Sequence, residues 1–263
     1  MMSKEIVSVA TMNRVGRVFN NPNDTTVGGV YYGHVQGMCY ANGNIVYGLT
    51  PFSGADQANC LIRKVNATTG AKVTQSVFPF YHCNSMAYDK AQNLLYVCPM
   101  INASGANVAT LERINYNTFA SAGSKTLRYP FAACAFDNSS NKLYTLRSDS
   151  TGLVVDVYNN SYVYQSTIKL QVPEGFGDTA ISPQAGQSFE VYDGRIYVLF
   201  AYPNTINVYD MNGANVQNYT LPARSNGLYT VGECEDITAV GDGRFYIASY
   251  YIVNVTPTPV CAT

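Results

Sequence analysis

Three carboxylates within four residues, Glu233, Glu235 and Asp236, make the densest acidic cluster of the chain. Glu233 and Glu235 are two positions apart, so on a strand they share a face. Glycoside hydrolysis uses two carboxylates roughly 5 to 9.5 Å apart, one as acid and the other as nucleophile or base. Glu190, distant in sequence, is available as a partner across a central channel. Against that chemistry, the chain has no tryptophan to stack on a sugar ring. Only two histidines occur, His34 and His82. Each stands two residues before an amide, Gln36 and Asn84, so a repeat accounts for them without catalysis. A Cys83/His34 nucleophile pair is the remaining alternative. No Gly-x-Ser-x-Gly elbow and no phosphate-binding loop is present. The seven cysteines include no Cys-x-x-Cys pair, and His82 and Cys83, as neighbours on a strand, point to opposite faces. The residues therefore predict no catalytic set, no metal and no cofactor.

These side chains must be carried by a repeated element. A short apolar strand, a tight polar turn and a second apolar strand ending in tyrosine recur five times. The copies begin Gln36-Gly-Met-Cys-Tyr, Asn84-Ser-Met-Ala-Tyr, Ala133-Cys-Ala-Phe-Asp, Ser188-Phe-Glu-Val-Tyr and Asp236-Ile-Thr-Ala-Val. Their tyrosines, Tyr47, Tyr96, Tyr144, Tyr197 and Tyr246, lie 49, 48, 53 and 49 residues apart. That is the period of a four-stranded propeller blade. Asn42-Gly43, Asp193-Gly194 and Asp242-Gly243 are hairpin turns, because their backbones readily take positive φ. A second hairpin follows each first one, as around Gly70, Asn159-Asn160 and Gly213. The sequence thus predicts a single all-β domain over 1–263: a five-bladed β-propeller of four-stranded antiparallel blades. The blades fall at about 31–80, 81–128, 129–172, 184–222 and 230–256. The last copy lacks a fourth strand before Pro257, and residues 1–30 offer a spare one. The ring is therefore expected to be closed by an N-terminal strand, which removes an open sheet edge. The segments 172–186 and 20–33 read as long loops.

Composition narrows the partners. Of 263 residues, 16 are Lys or Arg and 17 are Asp or Glu, with no basic cluster, which excludes nucleic acid. No apolar run is long enough for a transmembrane helix. The N-terminus lacks the apolar core of a signal peptide. An odd number of cysteines without that signal predicts reduced thiols and synthesis in a cytoplasm.

The starts of the innermost strands converge on one axis when the ring closes. The expected ligand-binding lining is therefore His34, Gln36, His82, Asn84, Gln187, Glu233 and Glu235, with Tyr32 and Tyr81 as stacking surfaces. Amides with one or two carboxylates suit hydroxyl-rich ligands. The Gln-Gly-Met and Asn-Ser-Met openings, followed by an Asn-Gly turn and an Ile/Leu-x-Tyr strand, resemble the small propellers of bacteriophage receptor-binding and tail fibre proteins. That resemblance implies a non-enzymatic virion module that binds a host cell-surface glycan. The alternatives are a structural or adaptor protein of the virion, contacting other virion proteins or copies of itself, and a glycosidase. Five-bladed arabinanase-type glycosidases carry an Asp near the opening strand of the first blade, where this chain has Gln36.

Overall fold

The computed structural model describes residues 9–14, 25–51, 58–99, 108–171, 186–200, 205–221, 234–248 and 252–257. All its regular elements are strands apart from a single 3₁₀ position at Ala58. The first repeat gives β2 (Thr25–Val27), β3 (Val30–Ala41), β4 (Asn44–Pro51), β5 (Cys60–Asn66) and β6 (Lys72–Phe78). The second gives β7 (Ser85–Asp89), β8 (Leu94–Cys98), β9 (Thr110–Asn115) and β10 (Ser121–Thr126). The third gives β11 (Ala133–Asp137), β12 (Lys142–Asp149), β13 (Gly152–Asn159) and β14 (Tyr164–Lys169). The fourth gives β15 (Gly186–Tyr192), β16 (Arg195–Phe200), β17 (Thr205–Asp210) and β18 (Asn215–Thr220). The fifth gives β19 (Asp236–Gly241), β20 (Arg244–Ala248) and β21 (Ile252–Pro257), and β1 (Val9–Arg14) precedes them all. The expected turns are present: Asn42 and Gly43, Asp193 and Gly194, and Asp242 and Gly243 all have positive φ.

Hydrogen bonding sorts these strands into four sheets, of eight, four, four and five strands. The expectation of a five-bladed propeller with separate four-stranded blades is thereby corrected: the molecule is an all-β propeller of four sheets. The physical reason lies in β1. It pairs in parallel with β18, Val9 opposite Asn218, and antiparallel with β21, Met12 opposite Pro257. Val9–Thr11 bond β18 and Met12–Arg14 bond β21, so β1 links the fourth and fifth repeats into one sheet in the order β15-β16-β17-β18-β1-β21-β20-β19. The N-terminal strand therefore lies inside that sheet, against the last strand of the fifth repeat on one side and of the fourth on the other. The first repeat also departs from four strands, because β2 pairs along the N-terminal half of β3, Thr25 opposite Tyr32.

Apolar faces pack between successive repeats. Val46, Cys60 and Ile62 meet Met86, Leu95 and Val97 in one layer. Tyr96 and Leu111 meet Phe136, Leu143 and Tyr158 in the next. Tyr144 and Val155 pack on Phe189, Ile196 and Tyr209. Within the eight-stranded sheet, Leu199, Ile206 and Val208 pack on Ile237, Phe245 and Ile247, so its two halves face each other. Met38, Ile45 and Tyr47 then meet Tyr246 and Ala248. Each buried Val, Leu, Ile, Met or Phe among them stabilises the fold by about 1.5–3 kcal/mol relative to exposure. Of the repeat tyrosines, Tyr47, Tyr96, Tyr144 and Tyr246 are buried, and Tyr197 is half-buried against Phe245, with ring centroids 4.7 Å apart. Around the axis β3, β7, β11, β15 and β19 lie side by side, each touching the next and β19 returning to β3.

Candidate functional site

The inner strands use side chains to tie one to another. Asp236, at the start of β19, is fully buried and accepts hydrogen bonds from the Ser188 hydroxyl, from Met38 N at 2.5 Å, from Met86 N at 3.4 Å and from its neighbour Ile237 N at 2.8 Å. One carboxylate thus joins β3, β7, β15 and β19. Burial pushes it well above the usual carboxylate range, against the opposing pull of its donors. Ser85 and Asn84 do the same between the second and third repeats, bonding Cys134 O at 3.0 Å and Ala132 O at 2.8 Å.

Above this belt, at the C-terminal ends of the inner strands, opens a polar cavity of about 340 Å³. Its volume suits a small ligand. Every inner strand contributes: Tyr40 from β3, Tyr88 from β7, Asp137 from β11, Glu190 from β15 and Thr238 from β19. Glu190 is half-buried. Its Oε1 accepts from Val191 N at 2.9 Å, and its Oε2 from Thr238 Oγ1 at 3.2 Å and Ala239 N at 3.1 Å. Burial outweighs these three donors, and the Asp137 charge adds to it, so the carboxyl is pushed up to about 7.

Asp137 is in the opposite condition. Burial acts to raise it, but Ser139 and Ser140 each donate a backbone N–H and a hydroxyl to its oxygens, with Ser139 Oγ at 2.7 Å and Ser140 Oγ at 2.5 Å. These bonds win, and Asp137 lies below the usual range. One cavity therefore holds a carboxyl poised near neutrality and a carboxylate held anionic. Environments that drive two such groups apart are the mark of an acid and base pair. Among the described residues, no group of three or more His, Cys, Asp or Glu side chains is placed to hold a metal.

The lining expected from the sequence lies at the other end of the inner strands. His34 is half-buried in β3, and Gln36 is buried with its Oε1 unpartnered. His82 Nδ1 lies 3.3 Å from Asn84 Oδ1, and burial, with the His34 charge, lowers its pKa. Asn84 is buried. The structure thus brings His34, His82 and Asn84 together. Glu235 is half-buried, and its backbone N–H bonds Ala248 O at 2.8 Å. Tyr32 is 2 % exposed within the core, and Tyr81 is half-buried at φ 50°. Gln187 lies on β15 with its side chain outside the described residues, as does Glu233 entirely. None of the seven whose side chains are described lines the axial cavity. Nor does the third member of the acidic trio, Asp236, which is taken up by its backbone donors. The Cys83 thiol is pushed well up by its contact with the Cys60 thiol and by burial, which keeps it protonated and unsuited to attack.

Sequence pattern alone passes over Asp137 and Thr238, and it treats Glu190 only as a partner for the acidic trio. The available signal was positional. Glu190 and Thr238 are 48 residues apart and stand opposite the repeat tyrosines Tyr197 and Tyr246, where the first three repeats place Met38, Ala87 and Ala135, so a lone acid occupies a repeat position otherwise filled by apolar residues and a threonine.

No family model matches the chain, and no curated protein matches it in sequence. A solved structure does match in fold: the glutaminyl cyclase of Myxococcus xanthus, with a TM-score of 0.64 over 97 % of this chain and 100 % of that one, at 12 % identity. The likeness establishes the architecture. It also corrects the step from repeat style to a non-enzymatic phage tail or fibre module for host attachment, because a fold shared this widely does not carry that role. The fold behind that repeat style is shared, over 97 % of the chain, with a bacterial enzyme. Repeat style reports how strands pack, and packing is indifferent to what the axial cavity does.

Proposed function

We propose that the chain is an acid–base enzyme that moves protons through Glu190 in the axial cavity, and that its reaction is the ring closure of an N-terminal glutaminyl group. The observation that carries this reading is the Glu190 carboxyl near 7, beside an anionic Asp137 in a polar cavity open to solvent. A general acid or base is most effective with a pKa near the working pH. In ring closure the α-amino nitrogen attacks the side-chain amide carbon and loses a proton. The carbon–nitrogen bond to the amide nitrogen breaks, and that nitrogen gains a proton to leave as ammonia. A single carboxyl can take the first proton and return it in the second step. Asp137 supplies a fixed negative charge to hold the substrate amine. The fold shared with a glutaminyl cyclase supports the choice of this reaction.

A second reading rests on the same pair. A protonated Glu190 and an ionised Asp137 facing one cavity also fit the acid and nucleophile or base of glycoside hydrolysis.

The test is to incubate the pure protein with a glutaminyl peptide, following ammonia release and product mass, and with oligosaccharides, following new reducing ends. Glu190→Gln should lower turnover on the true substrate by roughly 10²- to 10⁴-fold while leaving the melting curve cooperative. Absence of turnover on both substrate classes would remove the enzyme assignment, and full activity of Glu190→Gln would remove Glu190.

A further inference from the structure

The two oxygens of Glu190 are not equivalent. Oε2 accepts two hydrogen bonds, from Thr238 Oγ1 at 3.2 Å and from Ala239 N at 3.1 Å. Among the described residues, Oε1 accepts only one, from Val191 N at 2.9 Å. The direction of the Thr238 bond is set from behind, because Tyr40 N donates to Thr238 Oγ1 at 3.1 Å. A hydroxyl that already accepts a backbone N–H has its own hydrogen free to donate, and Glu190 Oε2 receives it. Tyr40 N, Thr238 and Glu190 therefore form a relay from β3 through β19 to β15. Both acceptor directions of Oε2 are filled, and one of Oε1 remains.

We propose that Thr238 is a positioning residue that confines the transferable proton of Glu190 to Oε1, so that acid and base steps run through that one atom. The inference rests on the reading of Glu190 as the proton-transfer group, and it adds which oxygen acts and what selects it. In the acid step the Oε1–H bond breaks and the proton passes to the departing nitrogen or oxygen. In the base step Oε1 takes the proton of the attacking group. Oε2 keeps its two donors throughout and needs no rearrangement. This is the economy of a preorganised site.

Several other groups face Glu190 and act on the same titration. Asp137 at the end of β11 and Asp236 at the start of β19 are the neighbouring carboxyls, and the Cys39 thiol of β3 is the neighbouring weak acid. Asp193, in the turn after β15, lines the cavity. None of them donates to Oε2, so removal of the Thr238 hydroxyl isolates the relay.

The experiment follows the Glu190 carboxyl directly by carbon-13 NMR titration in wild type, Thr238→Val and Thr238→Ser, with Thr238→Ala in case valine disturbs packing. Loss of a donor to the ionised form should move the midpoint up by about one pH unit in the valine or alanine variant. Serine should restore it. In the same variants the limb of the pH–rate profile that reports Glu190 should move by the same amount, with kcat affected more than KM. An unchanged midpoint in folded Thr238→Val or Thr238→Ala would overturn the relay, as would a serine variant that titrates like valine. A midpoint that moves in protein lacking turnover would leave the relay standing and remove the enzymatic reading instead.

Discussion

At the scale of the residue, burial acts to raise all three carboxylates near the axis, and local donors decide whether it prevails. Asp137 collects four donors from one serine turn and is held low, whereas Glu190 collects three and is raised. The sign of the pH dependence follows. The folded state holds the Glu190 proton up to about 7, while the unfolded chain releases it in the ordinary carboxyl range. The contribution is therefore fully present at acid pH and is lost as pH rises toward 7. Glu190→Gln should remove that slope, so its stability relative to wild type should increase between about pH 4.5 and 7 in urea titrations. A wild-type curve parallel to that of the variant over this range would show that Glu190 is not raised. Asp236 plays a different part. Asp236→Ala leaves the N–H groups of Met38 and Ile237 buried and unpaired, for an expected loss of about 2–4 kcal/mol in denaturant midpoint analysis. Arg147 offers a contrast. It binds the buried Asp156 through Nε at 2.5 Å and lies over the Tyr129 ring at 4.2 Å, outside the cavity lining. Arg147→Ala should lower stability without altering any activity of the axial site.

At the scale of the element, β1 is the strand with the largest consequence for its length. It has six residues, yet it bonds β18 on one edge and β21 on the other. Removing it exposes the facing edges of β18 and β21 at once, and such edges template association. Deletion of residues 2–14 should lower the melting temperature sharply or yield aggregates. A truncated protein that melts with wild type would show that the pairing adds nothing to stability. The hairpin turns are another element-scale feature that the sequence already specified. Asn42-Gly43 and Asp242-Gly243 require positive φ at both positions, and few other dipeptides meet that at low cost. Gly213 is constrained from outside. A Cβ there would stand 2.0 Å from Lys169 O of the neighbouring repeat, so the glycine records a close approach between repeats and not only a turn.

At the scale of the whole molecule, the thiols report the packing. Cys39, Cys60, Cys83, Cys98, Cys134 and Cys234 are all free and buried. Native protein should alkylate at these six positions only after denaturation, and a linked pair among them in unreduced protein would contradict the structure. The sequence by itself determined the all-β class, the repeat period, the turns, the core tyrosines and the weak net charge. Those features are local or periodic, and alternation and turn chemistry write them within a few residues. It did not determine the number of sheets, because the pairing of Val9 with Asn218 joins residues far apart in the chain and has no local signature. Nor did it locate the cavity. His34, His82 and Glu235 share a repeat end with one another, but which end of the axis opens a cavity depends on how the side chains of all the inner strands fill it. The poise of Glu190 was equally illegible. It arises from burial between β15 and β19 and from a Thr238 hydroxyl 48 residues away, and only the folded chain brings those groups within hydrogen-bonding distance.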